Sequence, residues 1–114
     1  MITIYHNPRC SKSRLGLQLL ENSGKEFEVV KYLDEPISEK ILEEIITLLG
    51  IKPIDLVRKN EAIWKSDFKG KDLTDKAIIS AMVKNPKLIE RPIVINNNKA
   101  VVGRPVDLIK TIIE

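Results

Sequence analysis

The chain has a single cysteine, Cys10, so no disulfide can form within it and the fold cannot depend on an oxidising compartment. Any disulfide it makes joins it to another molecule. Aromatic residues make up only 4% of its 114 positions, which leaves Ile, Leu and Val to build the core. There is no run of about 18 apolar residues and no charged-then-apolar leader after Met1. Neither membrane insertion nor export is expected, and the cytoplasm is the simplest placement. A block of one charge is also missing: 19 basic and 16 acidic residues are interspersed, giving a net charge of +3, so generic binding of nucleic acid is not expected. No repeat, low-complexity tract or flexible linker interrupts the chain. What remains is ordinary globular composition, 43% hydrophobic and 31% charged, at a length that suits one domain over residues 1–114 with its own core. A monomer is the working expectation.

Ile2 and Ile4 alternate with Thr3 and Tyr5 before Asn7-Pro8, a pattern that predicts a short strand delivering Cys10 at its tip. Leu15, Leu19 and Leu20 share one helical face up to Gly24, which predicts a helix over 11–23. A second strand is expected from Phe27 to Leu33, ended by Asp34-Glu35-Pro36. Ser38 can cap a helix whose face is Leu42, Ile45, Ile46 and Leu49, stopped by Gly50. Pro53 suits a short helix reaching about Arg58, residues 60–71 carry no assignment beyond the isolated anchors Trp64 and Phe68, and Thr74 opens a helix ending near Asn85-Pro86. Ile93 to Ile95 and Lys99 to Val102 flank Asn96-Asn97-Asn98 as a hairpin. Pro105 is placed at the first position of a last helix with Leu108, Ile109, Ile112 and Ile113 on its apolar face. The order βαβ, a helical insertion over about 37–86, then ββα is the thioredoxin-like arrangement, an α/β fold with one mixed sheet. In that arrangement Arg91-Pro92 falls where a cis-proline faces the active cysteine, and Pro92 is predicted cis.

Cys10 reacts as a thiolate only if its pKa is brought below the free value of about 8.5. His6, Arg9, Lys12 and Arg14 surround it in sequence, and the residues that open the following helix, Ser11, Lys12 and Ser13, offer free N–H groups. The same features bind an oxyanion. A small buried hydrophobe is the ordinary fate of a lone cysteine, but a site between a proline turn and a helix start, among basic residues, favours a reactive thiol. His6 reads equally as a structural histidine or as a partner that lowers the thiol pKa, since only its charged form would act as a cation. Ser13 stands where a dithiol motif would carry its second sulfur, so an outside thiol such as glutathione or a partner dithiol protein must complete any redox cycle. Arg58, Arg91 and Arg104 are candidates for gripping an oxyanion, because a guanidinium gives paired hydrogen bonds and stays charged.

Four segments, Tyr5 to Arg14, Leu56 to Asn60, Glu90 to Val94 and Gly103 to Pro105, together resemble the glutaredoxin-dependent arsenate reductase family, most nearly its short members. The likeness covers nearly the whole chain. It implies that Cys10 is the nucleophile, that His6 lowers its pKa, and that Arg58, Arg91 and Arg104 bind the oxyanion. It further implies reduction of arsenate to arsenite with glutathione as co-substrate and glutaredoxin as partner, and no metal or tightly bound cofactor. Two other activities stay open on the same scaffold: a glutathione-linked thiol oxidoreductase without an arsenic role, and a regulator that binds RNA polymerase.

Overall fold

A computed structural model describes residues 1–114. The chain divides into two compact units, Met1–Glu35 with Arg91–Glu114, and Pro36–Glu90.

The first unit is a four-stranded mixed sheet with helices. Strands β1 (Ile2–Tyr5), β2 (Phe27–Val30), β3 (Ile93–Asn96) and β4 (Lys99–Val102) lie in the order β2-β1-β3-β4. β1 runs parallel to β2, with Ile2 opposite Phe27, and the crossover between them is helix α1 (Ser11–Ser23). β3 runs antiparallel to β1, with Tyr5 opposite Ile93, and pairs with β4 through a tight hairpin. The period of two along β1 sends Ile2 and Ile4 into one core with Leu20, Val94, Ile109, Ile112 and Ile113. Burying each of these side chains contributes about 1.5–3 kcal/mol. This is a thioredoxin-like topology, and no helix in the chain is long and apolar enough to cross a membrane.

Three boundaries in this unit differ from the sequence expectation. β2 stops at Val30 rather than Leu33, because the Lys31 carbonyl accepts the Asp34 and Glu35 N–H groups and turns the chain. The hairpin turn is Asn97-Asn98 alone, with Asn97 in the left-handed region at φ 57°, while Asn96 pairs with Lys99. The last helix starts later than Pro105, which is extended (ψ 159°) and precedes a 3₁₀ segment, Val106–Ile109, that leads into α5 (Lys110–Ile113). The tighter 3₁₀ winding rotates Leu108 out of the apolar stripe, and it is exposed while Ile109, Ile112 and Ile113 are buried.

The second unit is helical. α2 (Glu39–Leu49) is capped by the Ser38 side chain, which accepts the Ile41 N–H, and ends at Gly50 in the left-handed region. A 3₁₀ turn, Pro53–Leu56, is shorter than the helix expected to reach Arg58, because Val57 leaves it to form an isolated bridge with Ile89. The unassigned middle contains α3 (Ala62–Asp67), where Trp64 is buried and stacks on Phe68 with ring centroids 5.4 Å apart. α4 (Asp75–Lys84), capped by Thr74, packs against α2 and is followed by a short 3₁₀ turn, Pro86–Leu88.

Candidate active site

The loop between β1 and α1 is organised by its own polar atoms. The Asn7 carboxamide Oδ1 accepts the Arg9 N–H at 3.0 Å, the Asn7 carbonyl accepts the Cys10 N–H at 3.0 Å, and the Arg14 side chain donates to the Pro8 carbonyl at 2.9 Å. Asparagine is suited to this because its side chain mimics a backbone turn. The loop ends with Cys10 as the residue capping α1, its backbone extended (φ −98°, ψ 124°), so the first N–H groups of the helix are left for the sulfur rather than for a side-chain cap.

Sheet pairing supplies the distant partner. Because Tyr5 is opposite Ile93, the residues just beyond β1 lie beside those just before β3, and Arg91 reaches the thiol from 81 positions away. Its Nε donates to Cys10 Sγ at 3.1 Å. The Arg91–Pro92 peptide bond is cis, as is Arg104–Pro105, which the sequence reading did not anticipate. Partial burial by itself pushes the Cys10 thiol up, but the backbone N–H of Ser13, the hydrogen bond and charge of Arg91, and the backbone N–H of Lys12 outweigh it. The thiol pKa therefore lies below its ordinary value. The sulfur is half-buried and uncrosslinked.

His6 is buried, and its Nδ1 lies 2.7 Å from Ser13 Oγ. Burial and the nearby charge of Lys31 lower its pKa, hydrogen bonding at Ser13 opposes them, and Arg14 lowers it further. The net effect is a neutral ring, so His6 does not stand beside the thiol as a cation at pH 7. Ser13 is fully buried, with its hydroxyl taken by His6 and by the Asn7 N–H at 2.9 Å, while its backbone N–H is directed at the sulfur. Ser11 and Lys12 are exposed at the mouth of the site, as are Arg9 and Arg14. Arg104 is exposed and begins the segment after Gly103, whose N–H donates to the Pro92 carbonyl at 2.8 Å. Arg58 belongs to the helical unit, where it donates to the Lys87 carbonyl at 3.2 Å and lies 3.6 Å from Glu61 and 4.0 Å from Glu90.

Two glycines that the sequence reading passed over hold the proline in place. A Cβ on Gly16 would come within 2.8 Å of Pro92 Cγ, and one on Gly103 within 2.9 Å of Ile109 Cδ1 and 3.1 Å of Pro92 Cγ. A glycine inside an otherwise regular helix is a signal of close approach, and Gly16 in α1 carried that signal. Nothing local marks Gly103.

A thioredoxin-like sheet that presents one sulfur as a nucleophile, charged and held at a helix start, defines a thiol-based oxidoreductase. Comparison with known proteins narrows that class: residues 5–112 match the ArsC family, and the chain belongs to it. It is 45% identical to the uncharacterised protein YfgD of Escherichia coli strain K12, over 98% of this chain and 96% of that protein. It is 42% identical to an arsenate reductase of Neisseria meningitidis serogroup A, over 98% of this chain and 97% of the reductase. The solved structure of an arsenate reductase from Vibrio cholerae is similar with a TM-score of 0.93 at 41% identity, covering 98% of this chain and 97% of that one.

Proposed function

We propose that the protein reduces arsenate to arsenite, using glutathione and glutaredoxin, through the Cys10 thiolate. The observation that carries this reading is the Arg91 Nε placed 3.1 Å from a sulfur that also faces the first N–H groups of α1. A positive fork and backbone donors around a thiolate stabilise the nucleophile first and the oxygens of its target afterwards. Cys10 attacks arsenic, an oxygen departs as water, and a sulfur–arsenic bond forms. Glutathione adds to the same arsenic with loss of a second water. A glutaredoxin thiolate then attacks the glutathione sulfur, the electron pair of that sulfur–arsenic bond passes to arsenic, and a mixed disulfide forms. Hydrolysis of the remaining bond to Cys10 releases arsenite. In sum one arsenate and two thiols give arsenite, a disulfide and water, so the electrons come from thiols and no resident metal or cofactor is required. We place the reaction in the cytoplasm, where thiols are kept reduced.

In this reading Arg91 and Arg104 hold arsenate oxygens together with the N–H groups of Ser11, Lys12 and Ser13. Arg58 and the thiol-activating role of His6 enter through the family resemblance of their segments. The names of the relatives support the substrate. The test is arsenite formation from arsenate with glutathione and glutaredoxin, with Cys10→Ser as control. The variant is expected to be inactive, and equal rates would remove Cys10 from the mechanism. Thiol exchange with glutathione but no arsenite at any arsenate concentration would move the assignment to a general thiol oxidoreductase.

A further inference from the structure

His6, Asn7 and Ser13 are the polar residues buried in this chain, at 3%, 7% and 0% exposure, and all three lie in the loop and first turn around Cys10. Burying polar groups is costly unless they are bonded, and here they bond one another. Ser13 Oγ accepts the Asn7 N–H at 2.9 Å and sits 2.7 Å from His6 Nδ1. With the Asn7 N–H donated to it, the hydroxyl keeps its own proton for Nδ1, which a neutral imidazole offers as an acceptor. The backbone of His6 is itself fixed, its N–H donating to the Val30 carbonyl at 2.9 Å beside β2. The charged groups acting on the ring are Lys31 and Arg14, both cations, and with burial they oppose a positive ring.

We infer that His6 and Ser13 form a positioning pair for Cys10: the uncharged imidazole anchors the Ser13 hydroxyl, the hydroxyl clamps the Asn7 N–H across the loop, and the Ser13 N–H is thereby fixed on the sulfur. His6 thus favours the thiolate through geometry and carries no charge of its own. The serine in the place of a second sulfur is a structural part of the site, since its hydroxyl is wholly committed to this clamp. The inference rests on Cys10 being the working thiolate, and it does not depend on arsenate being the substrate.

The experiment is the pH dependence of Cys10 alkylation by iodoacetamide in the full chain, which requires no arsenate. Asparagine at position 6 can hydrogen-bond to Ser13 but never becomes a cation, so His6→Asn is expected to keep the wild-type profile within about twofold. His6→Ala and Ser13→Ala are each expected to slow alkylation at pH 6 by about tenfold, the factor that one pKa unit represents. His6→Asn as slow as His6→Ala, or Ser13→Ala indistinguishable from wild type, would overturn the inference. Because these are buried positions, a second measurement needs no variant. His6 is the only histidine, so its ring resonances in the wild-type protein are unambiguous. A ring neutral at pH 7 supports the pair, and a protonated one refutes it. A chain that makes no arsenite yet shows these profiles would refute the proposed substrate and leave the positioning pair intact.

Discussion

Between Pro36 and Glu90 every buried residue is apolar, Leu42, Ile45, Leu56, Met82 and Leu88 among them, whereas the unit built from the two chain ends buries His6, Asn7 and Ser13 at the edge of its Ile and Leu core. The helical unit is assembled for stability, with caps at Ser38 and Thr74 and apolar faces that follow the helical period. The sheet unit accepts polar groups in its interior at the one place where the chemistry lies. The cost is contained because each buried polar group there has a bonding partner. Function in this protein is written in interior hydrogen bonds, and they are concentrated within two residues on one side of Cys10 and one helical turn on the other.

That contrast can be broken at both ends. Leu42→Ala in α2 should give the largest loss of stability, about 2–5 kcal/mol for a fully buried leucine, measured by denaturant unfolding. Cys10 alkylation should be unchanged under conditions where that variant stays folded. A changed alkylation profile would show that the two kinds of interior are not separable. Arg91→Ala should have the reverse signature, little change in unfolding but arsenite formation reduced about 100-fold, the scale of losing one donor to a developing charge. The sign of its pH dependence follows from the thiol. Arg91 helps hold the Cys10 pKa down, so removing it raises that pKa. The thiolate is then depleted most below the ordinary thiol value, and the alkylation deficit should shrink as pH rises toward 9 or so. A deficit of the same size at all pH values would mean that Arg91 acts only on the substrate. The smallest effect is expected from Gly16→Ala, where the added Cβ meets Pro92 Cγ at 2.8 Å and Ile109 Cδ1 at 3.2 Å. Overpacking of this kind costs about 1–3 kcal/mol, read as a lowered Tm. An unchanged Tm would show that the proline moves aside easily.

Elements governed by near neighbours were legible before any coordinates. The extent of α1, the caps of α2 and α4, and the alternation in β1 all follow from residues within four positions of one another. Where the reading went astray, a competing local bond had intervened, as when the Lys31 carbonyl closes a turn and shortens β2. Residues 60–71 hid α3 because six residues present too little periodicity to recognise, and its hold on the structure is the burial of Trp64. In the site, Cys10 and its helix start could be read directly. The neutral state of His6 could not, because it depends on burial and on Lys31, a residue distant in sequence and near in the fold.

By itself, then, the amino-acid sequence determined the order of strands and helices, the position of the thiol ahead of α1, and the need for an outside thiol, since one cysteine has no partner in the chain. The tertiary structure alone decided which arginine touches the sulfur, why Gly16 and Gly103 must be small, and that His6 spends its ring on Ser13 rather than on a charge. The physical reason is range. Periodicity and capping are settled by bonds a few residues long, while the setting of the thiolate arises from the pairing of β1 with β3, which closes a loop of some ninety residues and brings their chemistry to one end of the sheet.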